Sequence, residues 1–340
     1  MGYYRHLAQG QYDLWKKQQP VSQLLQSEQI SDELKHKLIL TQEALTFAEK
    51  ELSLSPGESY QGYVDTGRPS VVWNLMAAPA LSLEATQWCY PIVGCQSYRG
   101  YFELPRAQAA ENELKQEGMD TYIGGVAAYS TLGWLNDPLL NTFIYRKDDD
   151  LVALLFHELA HKVIYLKGDT AFNESFATAV EQLGLSQWQQ ANGITRKPPE
   201  GSLSPDELQQ QFVALVEESL HKLQKIYASN APTDEKLQQK AAEIAHLKAR
   251  HDAWAHQLNI QSPYSHWFNS PINNAKLLTV ANYHQYVPAF RQLWKESHGQ
   301  WPVFYQQVKT FAAHPEAERK AQLSALALRF SHPEMAMPSK

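Results

Sequence analysis

The chain has 340 residues, 44% of them hydrophobic, with 9 Trp, 17 Tyr and 12 Phe, and carries a formal net charge of −6 from 36 acidic against 30 basic residues. Such a composition builds a hydrophobic core and offers no clustered basic stripe, which excludes a disordered chain and argues against a nucleic-acid partner. Its longest apolar stretches, such as residues 151–156, fall far short of the ~20 residues that a spanning helix needs, so no transmembrane segment is predicted.

Taken in chain order, residues 1–55 read as a helical pair. The first helix runs from Tyr4 to about Gln26. Ser31-Asp32-Glu33 is an N-cap signal opening a second, to about Glu51, and Ser55-Pro56-Gly57-Glu58 ends the pair. From 60 to 145 the pattern changes to short apolar or aromatic runs punctuated by Gly and Pro, with strands predicted at 71–76, 98–102 and 122–132. Between the last two, Pro105 opens a helix that Gly118 ends. Both cysteines lie in Trp88-Cys89-Tyr90-Pro91-Ile92-Val93-Gly94-Cys95, where Pro and Gly can fold the segment back. Cys89 and Cys95 are therefore either a disulfide, which implies an oxidising compartment, or two buried thiols.

After residue 148 the chain turns helical again, with helices predicted at 150–167, 170–183, 205–228, 233–258 and 281–294. Residues 203–260, rich in Gln, Glu and Lys, form a long antiparallel helical hairpin, either an arm or packed on the body, and 261–335 a C-terminal helical part. The fold class is α+β, helix-dominant, with a small mixed sheet in one unit spanning 1–340.

The chemistry sits in 148–185. His157-Glu158-Leu159-Ala160-His161 is an HExxH pattern inside a helix that is apolar nearly all round. Positions i and i+4 share a helix face, so both imidazoles can reach one ion, and Glu158, about 100° around the helix, is placed to take a proton from a water on it. Two histidines and a glutamate on a buried helix need a partner, and Zn²⁺, one per chain, is the expected cofactor. A hydrolytic zinc site has three protein ligands, and Asp169, Glu174 and Glu181 are the downstream acids. Glu174 falls in the early turns of the next helix, Asp169 suits a cap, and Glu181, two turns on, can bond a ligand histidine from behind. Ile164 and Lys167 occupy the places of the glycine and final histidine in HExxHxxGxxH, which excludes that arrangement.

His157-Glu158-x-x-His161 with Asn173-Glu174 resembles the gluzincins, zinc peptidases with a zincin-like core, whose third ligand is a Glu on the following helix. The spacer of twelve residues between His161 and Glu174 is shorter than in thermolysin. Tyr3-Tyr4 to Gly10-Gln11, Cys95 to Phe102, Gly124 to Trp134, the two zinc helices and Ile272-Asn273-Asn274-Ala275 resemble a bacterial family described as putative aminopeptidases, often envelope lipoproteins. The resemblance implies an aminopeptidase acting on small peptides from the periplasm or cell envelope, with the leader absent from this chain and a lipid anchor on the full-length protein. The rival reading is a non-catalytic envelope protein that keeps zinc for structure and binds partners through its helical arm.

In zincins an edge strand shortly before the zinc helix binds the peptide. Gly124, Gly125, Val126, Ala127 and Tyr129 occupy that place here, the glycines allowing close backbone approach. No acid lies between Ile123 and Leu132 to hold a substrate amine, which leaves Glu103, Asp137 and Glu181. For the oxyanion donor the candidates are Tyr283, Tyr129, His266 and His284, with Tyr283 preferred. Arg99 could clamp a substrate carboxylate or serve a structural ion pair.

Overall fold

The computed structural model describes residues 2–90, 94–128, 136–194 and 202–331. Helix α1 (Gly2–Lys17) does not continue to Gln26 as its composition predicts. Gln19–Pro20 (β1) is extended and pairs with Gly62–Val64 (β2) before α2 (Val21–Gln26) begins. Pro20 lacks an N–H and disfavours helical backbone at Gln19, which is the cause of the break. Helix α3 (Asp32–Glu51) starts where the Ser31 hydroxyl accepts from Leu34 N at 3.1 Å.

The middle of the chain is the mixed part. Its strands are β3 (Val72–Pro79), β4 (Trp88–Tyr90), β5 (Gly94–Gln96) and β6 (Arg99–Tyr101), then, after α4 (Leu104–Gln116), β7 (Met119–Val126) and β8 (Leu139–Leu140). Cys89 and Cys95, opposite each other in the β4–β5 hairpin, are joined by a disulfide. The main sheet has the order β6-β3-β7 and is antiparallel throughout, β3 and β7 pairing from Val72↔Val126 to Pro79↔Met119. Leu75, Tyr101, Trp73 and Ile123 share one face and pack on Ala107 and Ala110 of α4. The residues between them, Asn74, Met76, Tyr122 and Gly124, face the other way, as the pleat requires.

A short helix, α5 (Asn141–Ile144), leads to α6 (Asp148–Val163) and α7 (Thr170–Ala191). Asp148 at the start of α6 is paired with Lys37 of α3 at 2.6 Å. α6 ends four residues earlier than its composition predicts, because the Asn173 carboxamide takes both the N–H and the C=O of Leu166, each at 2.8 Å. α6 and α7 pack closely at Gly184, where a Cβ would lie 2.9 Å from both Leu52 Cδ1 and Phe156 Cδ2.

The remaining helices are α8 (Pro205–Ala228), α9 (Thr233–Gln257), α10 (Ser265–Phe268), α11 (Asn274–His284), α12 (Val287–Glu296), α13 (Trp301–Ala313) and α14 (Glu316–Ser331). The single helix predicted at 281–294 is thus two, and Pro288 in the first turn of α12 explains the division. The α8–α9 hairpin packs on the body. Phe212, Val216, Leu223 and Leu247 form a cluster with Leu277 and Val280 of α11, and Lys240 is paired with Asp120 of β7 at 2.5 Å. The main core runs from Leu14 to Leu326, so both ends of the chain support the α6–α7 pair. Among the described residues no helix is long and apolar enough to cross a membrane.

Candidate metal centre and adjoining cleft

Helix geometry puts His157 and His161 one turn apart on the inner face of α6, and α7 returns Glu174 against them. Glu174 Oε2 lies 3.3 Å from His157 Nε2 and 3.8 Å from His161 Nε2, and the three side chains each offer a ligand atom within 4.8 Å of the others. Donors of a tetrahedral zinc at ~2.0–2.1 Å stand about 3.3 Å apart, so these residues fit the ion. The turn of chain that makes this possible is built by side chains. Asn173 holds Leu166 as above, and Asp169 caps α7 through Phe172 N at 3.1 Å while pairing with buried Arg319 of α14 at 2.6 Å. Asp169 is therefore spent as a cap and ion pair.

Glu181 lies 3.0 Å from His157 Nδ1, which directs Nε2 of that ring toward Glu174. Burial acts to lower the His157 pKa, but the Glu174 and Glu181 carboxylates outweigh it and hold the imidazole above its ordinary value. His161 has no such support. Its Nδ1 is buried without a partner, and burial lowers its pKa to about 4, against the pull of Glu174. Glu158 is 8% exposed, and burial, opposed by His157 and helped by Glu174 and Asp137, pushes its carboxyl up to about 7. Buried Tyr60 and Asp137 stand on its side of the cluster, the Tyr60 N–H donating to the Asp137 carbonyl at 2.7 Å.

Tyr283 comes from the end of α11. Its ring stacks on His157 at 6.3 Å, its hydroxyl donates to Glu174, and the Glu174 charge raises its pKa. His284 lies beside Glu181 and His157, and burial lowers its pKa to about 4. His266 is exposed on α10 and does not line the site, and Tyr129 lies outside the described residues.

Between the β3–β7 face and α10–α11 lies a cleft of about 280 Å³ that ends at Tyr283 and His284. Gly124, Gly125 and Val126 line it, but their uses differ. A Cβ on Gly124 would sit 3.2 Å from the Tyr122 ring, whereas one on Gly125 would meet Ser70 Oγ at 2.4 Å, so Gly125 lacks a side chain for packing. Ala127 gives its carbonyl to Thr142, which takes that group away from any peptide. Among the described strands nothing pairs with the outer edge of β7. The Thr121 carbonyl reaches outward to Asn273 at 2.8 Å, and since alternate residues of an antiparallel strand turn both main-chain groups the same way, Ile123 and Gly125 face that edge too.

Arg99 lies on the α4 face of the sheet with its guanidinium stacked 4.0 Å from the Tyr3 ring. Glu103 precedes α4, paired with Arg106 at 2.8 Å, away from the metal cluster. Conversely Tyr98, unremarked in the sequence, faces Glu174 and Glu158, and burial raises its pKa. Strand alternation was the available signal, because residues flanking Arg99 must point to the opposite face.

A family model described as "Putative aminopeptidase" matches residues 2–323. No curated protein and no solved structure matches the chain.

Proposed function

Because the chain belongs to that aminopeptidase family, we propose that it is a zinc-dependent peptidase of the gluzincin type, in which His157, His161 and Glu174 hold one Zn²⁺ and Glu158 is the general base. The observation that carries this reading is the approach of three ligand atoms to within 4.8 Å, beside a buried carboxylate on the same helix as both histidines. Zinc there would supply a Lewis acid for the substrate carbonyl and a bound water with a pKa near ~7. The rest is done by side chains. Glu158, buried on the same helix as both histidines, takes the proton of the attacking water and gives it to the leaving amine. Tyr283, whose hydroxyl lies at Glu174, donates to the oxyanion. The peptide extends along the edge of β7 that no described strand pairs with, bonded to Ile123 and Gly125, and Asp137 and Glu181, whose charges both act on Glu158, would receive a free amine. The disulfide supports a periplasmic or envelope location.

The test is mass-spectrometric cleavage of a mixed peptide library, including N-terminally blocked members, by the zinc-loaded protein and by Glu158→Gln. Single N-terminal residues should be lost from unblocked peptides, and the substitution should slow this by roughly 10²–10⁴-fold while zinc content stays unchanged. Internal cuts in blocked peptides would make it an endopeptidase. Absence of any Glu158-dependent cleavage would favour the non-catalytic envelope binding protein.

A further inference from the structure

The cleft beside the metal cluster has a definite chemistry. Met76, Tyr122, Trp267, Thr279 and Val280 form its walls, and none of its described lining residues is a carboxylate, lysine or arginine. The Lys276 ammonium, behind two of these walls, is 1% exposed and turned away: it donates to the Trp267 carbonyl and to Ser270 Oγ. It stands 4.7 Å from the Trp267 ring and 5.6 Å from the Tyr122 ring, so it braces two aromatic walls and brings no charge to the opening. On β7 the residues facing the cleft are Tyr122, Gly124 and Val126, and the glycine lets the Tyr122 ring lie close over the strand.

We propose that this cleft is a side-chain subsite that selects one bulky apolar residue, of the Leu, Met or Phe class, in a peptide lying along β7. The proposal rests on the peptidase reading and names its substrate class. An extended peptide sends every second side chain to the same face, about 6.6 Å apart, and a cleft of about 280 Å³ admits one of them. Burying such a side chain among Met76, Tyr122, Trp267 and Val280 favours it over Gly roughly ten- to hundred-fold, whereas Asp, Glu or Lys would lose solvation among described walls that carry no charge.

The experiment uses pentapeptides that differ at one position at a time (Gly, Leu, Phe, Glu or Lys). Cleavage is followed with the zinc-loaded protein, and equilibrium binding with the Glu158→Gln form. Two substitutions probe the walls: Thr279→Phe, which fills the cleft from a half-buried position, and Met76→Ala, which enlarges it. The expected result is at least a ten-fold preference for Leu or Phe over Gly and Glu at one position. Thr279→Phe should reduce it to about one-fold, and Met76→Ala should shift it toward the larger side chain. Glu158-dependent cleavage with no such preference, or with one that neither substitution moves, would overturn the subsite and leave the peptidase intact. An apolar preference in binding that the wall substitutions move, without any cleavage, would support the subsite and overturn the peptidase. Neither cleavage nor selective binding would overturn both.

Discussion

Glu181 supports one imidazole of the cluster, and no described residue supports the other. His157 Nδ1 has the carboxylate at 3.0 Å, while His161 Nδ1 is buried without a partner. The orientation of His157 is therefore the one a single substitution can release. Glu181→Ala should weaken zinc about 10–100-fold, measured by competition with a chelator, and unchanged affinity would mean that packing alone sets the ring. At this scale the sequence was informative wherever spacing is local. Positions 157, 158 and 161 lie within five residues of one helix, and Asn173-Glu174 opens the next, so periodicity and capping sufficed to single them out. Tyr98, Tyr60 and Asp137 reach Glu158 from loops and strand ends far away in the chain, and no local pattern registers that.

Among the elements, α11 carries the far wall of the cleft, and two asparagines fix where it stands. Asn273 caps the helix, accepting from Lys276 N at 3.0 Å, and holds β7 through Thr121. Asn274 is fully buried. Its amide donates to the carbonyls of Pro79, Ala80 and Ser82 at 3.0–3.1 Å, and its oxygen accepts from the Tyr227 hydroxyl at 2.7 Å. Asn274→Ala would leave the Tyr227 hydroxyl and three part-buried carbonyls without this partner, so a loss of about 1–3 kcal/mol is expected in urea unfolding. A loss below about 1 kcal/mol would show that water replaces the carboxamide. Most helices were legible from capping and composition, Ser31 being a clear example. Two of the misses share a cause: Pro20 and Pro288 lie among strong helix formers, and whether a proline breaks a helix or starts one depended on partners remote in sequence, Gly62–Tyr63 in the first case.

For the molecule as a whole, the metal cluster is held from both ends of the chain. Arg319 of α14 grips the cap of α7, and the Tyr305 hydroxyl of α13 donates to the Leu52 carbonyl beyond α3 at 2.9 Å. The β4–β5 hairpin leans on the stretch that joins α6 to α7. A Cβ on Gly94 would lie 3.1 Å from Lys167 Cβ and 3.3 Å from Gly168 N, and the Gln96 amide donates to the Tyr165 hydroxyl at 2.9 Å. That stretch sets the distance between the helix with both histidines and the helix with Glu174. If the Cys89–Cys95 bond, which closes the hairpin, fixes that stretch, oxidation should precede capture of the proposed ion. Chain made in a reducing compartment, or as Cys89→Ser, should carry less zinc per molecule after dialysis at limiting metal, and reoxidation should restore it only where both thiols remain. Equal zinc content in all three would show the hairpin to be a bystander. If the order holds, a chain still lacking its bridge would hold the proposed ion weakly, and the proposed peptidase activity would wait on oxidation.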